Sequence, residues 1–233
     1  DESAKCAIFS ASDGQGLSPI ILAAQIGAHE SLRLLLQFGV NIESHDSKRD
    51  TALHWAAYYG HVAAVACLLK NGADLEAKGD KDNSPLNFAV MYGKGDVVKL
   101  LLQNNASVNA RNSQGLNALD MAIKNQPLLV EPILEHIATL PLEKQAACLI
   151  NVPGGPFPNV LFYAAKHKPD LFNRLVNIIS NSEQLEKSAK CAIFSASDGQ
   201  GLSPIILAAQ IGAHESLRIL LQFGVNIESQ TIY

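Results

Sequence analysis

The chain has 233 residues, of which 48% are hydrophobic and 17% charged, and its formal net charge is −4. This composition is sufficient for a continuous hydrophobic core, whereas the negative balance gives no basis for binding nucleic acid or an anionic membrane surface. No apolar run approaches the roughly 20 residues that a membrane-spanning helix requires. We therefore expect neither membrane insertion nor nucleic-acid binding.

The four cysteines show no CxxC spacing, and Cys6 and Cys191 are one position of a duplicated segment. Reduced thiols fit this pattern better than disulfides or a zinc site. The seven histidines include no HExxH motif, and no Ser or Cys lies in a recognised nucleophile motif. We therefore expect a cytoplasmic protein that is not an enzyme and has no catalytic residues, no metal and no cofactor.

The duplicated segment covers residues 3–44, which recur as residues 188–229 with Leu34 replaced by Ile219. Such near identity indicates that the chain is built from copies of one structural unit. Between the copies, triplets beginning with Ser, Thr or Asn recur at steps of 33 residues and later at 42 and 44. Their first residues are Ser18, Thr51, Ser84, Asn117, Asn159 and Ser203.

Each triplet predicts the start of a helix, because a Ser, Thr or Asn side chain can accept a hydrogen bond from the free N–H groups of the first turn. Pro at the second position of three triplets suits that turn. A glycine that tolerates positive φ then predicts the end of the helix, as at Gly27 and Gly60. A second helix rich in Leu and Val follows, predicted around residues 32–36, 65–69, 97–102 and 217–221.

The stretch Thr51-Ala52-Leu53-His54-Trp55-Ala56-Ala57, followed by Gly60-His61 and Gly72-Ala73-Asp74, resembles the ankyrin repeat family. This resemblance implies an all-α solenoid of stacked helix–turn–helix units with β-hairpin-like fingers, in which His54 ties a finger to a helix. We expect a single array over residues 1–233. Its repeats are predicted at residues 13–45, 46–78, 79–111, 112–137, 159–181 and 198–229.

Two segments, residues 138–158 and 182–197, are too long for an ordinary connection between repeats. They resemble each other at a step of 43 residues and contain good helix formers. We therefore predict an extra helix in each, ahead of the usual helix pair.

The resemblance also implies where a protein partner would bind, namely the concave face and the finger tips of repeats two to four. The residues carried over to that surface are Lys48, Asp50, Tyr58, Tyr59, Lys81, Met91, Tyr92, Leu116 and Lys124. Aromatic side chains and Met are enriched at the centres of interfaces. The alternative for any one tyrosine is that its ring only packs between repeats.

Basic residues lie at one edge of repeats two and three. Such a stripe is either a solvated face or, if it binds, a surface suited to an acidic protein segment. The residues are His45, Lys48, Lys78, Lys81 and Arg111.

These observations predict a protein–protein interaction module. The alternative is the substrate-targeting region of a larger effector enzyme whose catalytic domain lies outside this sequence. Recently expanded arrays occur in effectors of intracellular bacteria, so by analogy the host cytosol is a predicted location.

The duplicated ends predict head-to-tail self-association through the C-terminal repeat. We expect the surface that Leu34, Leu35 and Val40 present to repeat two to reappear uncovered at the C-terminal end. The residues of that predicted surface are Ile219, Leu220 and Val225.

Overall fold

The computed structural model describes residues 17–141, 144, 148, 160–167, 169–181, 183, 186–197 and 201–225. The chain divides into two compact units, Asp1–Ser113 and Gln114–Tyr233, which we call unit 1 and unit 2. The prediction of an all-α protein is confirmed. Within the described ranges, β-structure is limited to an isolated antiparallel bridge between His45 and Thr51.

Within residues 17–113, unit 1 has three consecutive helix pairs, which correspond to repeats one to three. The helices are α1 (Pro19–Gln25), α2 (His29–Gln37), α3 (Ala52–Tyr59), α4 (Val62–Lys70), α5 (Pro85–Met91) and α6 (Gly95–Gln103), with a short 3-10 turn at Asp80–Asp82 before α5.

Among its described residues, unit 2 has three further helix pairs and the additional helix α11. The helices are α7 (Ala118–Asn125), α8 (Val130–Thr139), α9 (Val160–His167), α10 (Pro169–Asn181), α11 (Lys187–Ser195), α12 (Pro204–Gln210) and α13 (His214–Gln222), with a 3-10 turn at Pro127–Leu129 before α8. The extra helix predicted in residues 182–197 is confirmed as α11. Most of the one predicted in residues 138–158 lies outside the described residues.

Five of the six predicted helix starts are confirmed, with Ser18, Thr51, Ser84, Asn117 and Ser203 directly preceding a helix. The sixth, Asn159, lies outside the described residues, although α9 begins at the following position.

Side-chain capping is less uniform than predicted. The Ser84 hydroxyl accepts a hydrogen bond from the Asn87 N–H at 3.3 Å, and the Asn117 side chain accepts one from the Asp120 N–H at 2.9 Å. Within the described part of the chain, the buried Ser18 hydroxyl has no hydrogen-bond partner. The helix starts are therefore fixed by more than the capping side chain alone.

The glycine that ends α1 also has a packing role. Gly27 has φ +71°, and a Cβ built on it would lie 2.7 Å from the His61 ring. The His61 ring approaches closely because its Nε2 lies 2.9 Å from the Gln25 carbonyl oxygen. Any larger residue at position 27 would meet both a strained backbone and a steric clash.

Packing in unit 1 joins like helices of successive repeats, since α1 packs on α3, α3 on α5, α2 on α4 and α4 on α6. The first helices of the repeats bury small side chains. Fully buried are Ala24, Ala56, Ala57 and Ala89. Small side chains allow neighbouring helices to approach closely. In unit 2, α7 packs on α9, α9 on α12 and α10 on α13.

One prediction about the duplicated ends is wrong. Leu220 and Val225, expected on an uncovered C-terminal surface, are only 0% and 5% exposed. Leu34, expected to face repeat two, is 48% exposed. The physical reason is packing within unit 2, because α13 packs on the preceding helix α10 and on α12.

Candidate protein-binding site

Three tyrosines from two successive repeats form one cluster in unit 1, which we call the aromatic patch: Tyr58, Tyr59 and Tyr92. The Tyr58 ring lies 4.1 Å from the Tyr92 ring and 4.8 Å from the Tyr59 ring, measured between centroids. Tyr59 is 46% exposed and Tyr92 is 42% exposed, whereas Tyr58 is half-buried between them. The aromatic patch therefore combines mutual packing with surface that a partner can reach.

The repeat period creates the aromatic patch. Tyr59 is the last residue of α3, and Tyr92, which is 33 residues later, directly follows the last residue of α5. Trp55 and Phe88 lie one helical turn earlier and contact these rings, with centroids 6.1 Å from Tyr59 and 6.2 Å from Tyr92. The sequence analysis did not assign Trp55 or Phe88 to the partner surface, although residues four apart on a helix are neighbours.

Met91, another residue of the predicted partner surface, is half-buried.

Burial raises the pKa of Tyr92, and the neighbouring Tyr58 and the carboxylates of Asp80 and Asp50 act in the same direction. The aromatic patch thus lies within electrostatic range of acidic groups.

The finger of repeat two is organised around the carboxylate of Asp46. Its Oδ1 accepts hydrogen bonds from the backbone N–H groups of Lys48 at 2.8 Å and Asp50 at 3.0 Å. Its Oδ2 accepts from the Trp55 indole N–H at 3.1 Å. One side chain therefore fixes the finger turn to helix α3 and leaves the Lys48 side chain exposed at the tip.

Asp50 ties the finger of repeat two to that of repeat three. Its Oδ1 accepts a hydrogen bond from the Asp80 N–H at 2.8 Å, and a Cβ built on Gly79 would lie 2.1 Å from the same oxygen. Burial raises the pKa of Asp50 to about 6, against the opposing effect of the Asp80 hydrogen bond. Since Asp50 is 2% exposed, its predicted contact with a partner is wrong.

His54 forms a second tie between the same two repeats. Its Nδ1 accepts a hydrogen bond from the Thr51 N–H at 3.1 Å, so Nε2 carries the proton and donates to the Asn83 carbonyl at 3.0 Å. Burial lowers the pKa of His54 to about 4. Its role in tying a finger to a helix, which the family resemblance implied, is present in this geometry.

Two glutamates form a further set of ties that sequence reasoning missed. Glu43 accepts a hydrogen bond from the Asp74 N–H at 2.8 Å, and Glu76 accepts one from the Ser107 N–H at 2.7 Å. The two glutamates lie 33 residues apart, as do the two donors. This shared spacing could have indicated that the two glutamates have equivalent roles. The sequence alone, however, does not show that each carboxylate lies within hydrogen-bond distance of the next repeat.

The remaining predicted residues differ in accessibility. Lys81 is exposed at the tip of the finger of repeat three, where its backbone has φ +54° and its carbonyl accepts from the Ser113 N–H at 2.8 Å. In unit 2, Lys124 is exposed, whereas Leu116 is 5% exposed and packs in the interior. Leu116 is therefore a second error in the predicted partner surface.

The basic stripe is not a continuous positive surface. The Lys78 ammonium donates hydrogen bonds to the backbone carbonyl oxygens of Asp82 at 3.2 Å and Arg111 at 3.1 Å. This ammonium is therefore engaged in contacts within the fingers. The guanidinium of Arg49 lies 4.0 Å from the Asp82 carboxylate. The edge therefore carries mixed charge, which removes the specific argument for an acidic partner.

The residues that the structure describes contain no cluster of three or more His, Cys, Asp or Glu that could hold a metal ion. Among the helices described above, none combines the length and the apolar character needed to cross a membrane.

The family comparison matches the first half of the chain. A model described as ankyrin repeats (3 copies) matches residues 3–79, and one described as ankyrin repeats (many copies) matches residues 68–122. Residues 188–229 lie beyond both matches, although they differ from residues 3–44 at one position. No curated protein matches the sequence at a significant level.

Proposed function

The chain belongs to the ankyrin repeat family, and from this premise we propose that it is a non-enzymatic module that binds a protein partner through the aromatic patch and the neighbouring finger tips of unit 1. Repeats of this family are generally protein–protein interaction modules and are typically non-catalytic. Lys48 and Lys81 would contribute at the finger tips, since both side chains are exposed. Lys124 is a separate predicted contact in unit 2.

The observation that supports this proposal is the exposure of two large aromatic rings at equivalent positions of successive repeats. A soluble protein gains no folding energy from the exposed parts of Tyr59 and Tyr92, whereas a partner that covers them gains apolar contact and access to two hydroxyl groups. Tyr58 holds the two rings close together, and Trp55 and Phe88 support them from the preceding turn. Such pre-positioning lowers the entropy that a side chain loses when it binds.

We also propose that the protein lies in a reducing compartment, the cytoplasm of its own cell or the cytosol of a host. Cys67, Cys148 and Cys191 are free thiols, and Cys148 is buried. Fractionation of cells followed by titration of thiols without reductant tests this proposal. Detection of the mature protein in an oxidising compartment with these thiols paired would contradict it.

The test of the partner surface is affinity capture followed by mass spectrometry, with the Tyr59→Ala/Tyr92→Ala double variant beside the unmodified protein. We expect partners held by the aromatic patch to be lost from the double variant. Binding of an identified partner should weaken by about 2–4 kcal/mol if both rings are hot spots. The Tyr59→Phe/Tyr92→Phe variant keeps both rings and should retain most of the binding.

Leu128→Ala is the matched control, because Leu128 is 91% exposed and lies in unit 2. It removes apolar surface without touching the aromatic patch, so capture should not change. Thermal unfolding of all three variants separates loss of binding from loss of fold. Partners captured equally well by the Ala double variant and the unmodified protein would refute the proposed surface.

A further inference from the structure

The rings of the aromatic patch are inclined to one another and do not form a flat stack. Tyr58 makes interplanar angles of 72° with Tyr59 and 54° with Tyr92, at centroid distances of 4.8 Å and 4.1 Å. The face of an aromatic ring carries partial negative charge and attracts a cation within about 6 Å of the centroid. A cation over the exposed part of one ring is therefore also close to the next ring.

The exposure of the aromatic patch is not that of a repeat at the end of a stack. Helix α3, which carries Tyr58 and Tyr59, packs on both α1 and α5. Tyr59, the last residue of α3, is nevertheless 46% exposed, and Tyr92, directly after α5, is 42% exposed. Tyr59 thus stays accessible although its helix has described neighbours in both adjacent repeats.

On the side of the fingers, the aromatic patch adjoins carboxylates that are fixed in place. The Trp55 indole N–H donates to the Asp46 Oδ2 at 3.1 Å, and the Trp55 ring stacks on Tyr59 at an interplanar angle of 23°. The Asp50 carboxylate accepts from the Asp80 N–H at 2.8 Å, which joins the finger of repeat three to that of repeat two. These contacts hold negative charge close to the rings before any partner binds.

Asp80 is the most accessible of these three carboxylates. It is half-buried, whereas Asp46 and Asp50 are 6% and 2% exposed. Among the described residues, the Asp80 carboxylate has no ion-pair partner. Burial raises the pKa of Tyr92, and the charge of Asp80 adds to this effect, so Asp80 acts on an exposed ring of the aromatic patch.

The basic residues of the fingers do not pair with this carboxylate. The guanidinium of Arg49 lies 4.0 Å from the Asp82 carboxylate, and the Lys78 ammonium donates to backbone carbonyl oxygens within the fingers. Lys48 and Lys81 are exposed at the finger tips, where solvent and salt screen their charge. Asp80 is therefore available to a cation from outside the molecule.

Lys94 is a basic residue that lies beside the aromatic patch in the same molecule. Its side-chain stem passes Gly60, the residue after Tyr59, and its Cδ would lie 2.9 Å from a Cβ built on that glycine. Because like charges repel, a second cation is better placed at Tyr92, the ring on which Asp80 acts.

We propose that the aromatic patch binds an arginine side chain of the partner, with the guanidinium over the Tyr92 ring and facing the Asp80 carboxylate. Arginine fits both features, because its planar guanidinium stacks on aromatic faces and can donate two parallel hydrogen bonds to a carboxylate. The partner is thus a protein segment with an exposed arginine, opposite in charge to the acidic segment considered for the basic stripe. This inference rests on the proposed function, since it names the group that the aromatic patch recognises.

Synthetic peptides with one fixed central residue test the proposal on the full 233-residue chain. Three peptide sets share the same random flanking positions and have arginine, citrulline or glutamate at the centre. Citrulline has the shape of arginine without its charge. Fluorescence anisotropy then measures the affinity of the best arginine peptide and its two centre variants. We expect the arginine peptide to bind about tenfold more tightly than the citrulline peptide, and the glutamate peptide to bind most weakly.

Substitutions in the protein separate the two features of the site. Asp80→Asn removes the charge but keeps the backbone N–H that binds Asp50, so arginine binding should fall about tenfold while citrulline binding stays unchanged. Tyr92→Leu keeps apolar surface without a ring face and should weaken the arginine peptide more than the citrulline peptide.

Asp96→Asn is the matched control, because it removes one negative charge from an exposed position of α6. It should leave both affinities unchanged, which excludes a general attraction of basic peptides to the negatively charged chain. Thermal unfolding of every variant verifies that the fold is intact.

The proposal is overturned if the citrulline peptide binds as tightly as the arginine peptide, if no arginine peptide binds, or if Asp80→Asn leaves arginine binding unchanged. The proposed function has its own, separate outcome. If the arginine preference is absent but the Tyr59→Ala/Tyr92→Ala variant still loses its captured partners, only the present inference fails. If that double variant keeps its partners, the proposed partner surface fails as well.

Discussion

At the third position after its capping residue, repeat two has His54 where repeat one has Ile21, and both side chains are fully buried. Ile21 is a fully buried apolar residue of α1, the helix that packs on α3. His54 instead joins Thr51 to Asn83 through both ring nitrogens. Equivalent positions in one stack are therefore held by apolar packing in one repeat and by hydrogen bonds in the next.

The two repeats also differ in how many neighbours they have among the described helices. Repeat two has α1 and α2 on one side and α5 and α6 on the other, so Leu68 is fully buried. Its counterpart in repeat one, Leu35, is only half-buried. This contrast teaches that the stability of a repeat depends on its place in the stack as well as on its own sequence.

The largest expected effect is a core truncation that breaks this contrast. Leu68→Ala should lower the free energy of unfolding of unit 1 by about 2–5 kcal/mol, because it leaves a cavity between packed helices. Leu35→Ala should cost clearly less, since part of the Leu35 side chain already contacts water. Native-state hydrogen exchange of the α4 and α2 amides measures both. Equal costs for the two variants would show that neighbour number does not control stability here.

The second effect concerns pH. Because the pKa of His54 is lowered from 6.5 to about 4, its stabilising contribution is complete above pH 6.5 and is lost as the pH falls to 4. Roughly 3 kcal/mol is at stake, from about 1.4 kcal/mol per pKa unit. Relative to the unmodified protein, His54→Ile, which copies repeat one, should be spared this acid-induced loss, as urea denaturation curves of both proteins recorded across that range would measure. An unchanged pH profile would contradict the assignment.

The titration of Asp50 should change stability with pH in the opposite direction to that of His54, so an Asp50 variant is a second test in the same experiment. Its pKa is raised from 3.8 to about 6, so its contribution favours folding below pH 3.8 and is lost as the pH rises through 6. Asp50→Asn removes this opposing effect. The loss of stability between pH 6.5 and 4 should then become steeper than in the unmodified protein, whereas a shallower slope would be inconsistent with a raised pKa.

A smaller effect separates two helix starts that look alike in the sequence. Ser84→Ala should cost about 1 kcal/mol, because the Ser84 hydroxyl accepts a hydrogen bond from the Asn87 N–H. Ser18→Ala should be nearly neutral or stabilising, because a buried hydroxyl without a partner is removed. Thermal unfolding of the pair of variants is the measurement. A larger cost at Ser18 would indicate a hydrogen bond that the described geometry does not contain.

The smallest effect is expected at the finger tip. Lys81→Ala removes an exposed charge and should change the free energy of unfolding by no more than about 0.5 kcal/mol. Urea denaturation is sufficient to detect a larger change. A cost above 1 kcal/mol would mean that the Lys81 side chain supports the finger, in contrast to the buried Asp50 on the adjacent finger.

Much of the local structure could be predicted from the sequence. Five capping positions, the glycines that end the first helices and the second helices of the predicted repeats follow from hydrogen bonds and backbone angles within a few residues. The proximity of Tyr59 and Tyr92 follows from the 33-residue period, because equivalent positions of stacked repeats are neighbours. The family assignment depends on the same local patterns.

The accessibility of single side chains could not be predicted in this way. Asp50 and Leu116 were placed on the partner surface by their position in the repeat, yet both are buried. The Asp50 carboxylate accepts a hydrogen bond from the backbone N–H of Asp80, which is 30 residues away. That bond exists only because the two fingers meet in the folded unit.

The duplicated segment separates the two contributions directly. Its sequence determines two helices with the same boundaries in both copies, since helix starts and ends depend on nearby residues. Burial differs between the copies, because Leu35 is half-buried while its counterpart Leu220 is fully buried, and Ala24 is fully buried while Ala209 is exposed. The tertiary structure alone decides which side of the pair is covered, because burial depends on the helices that pack against it.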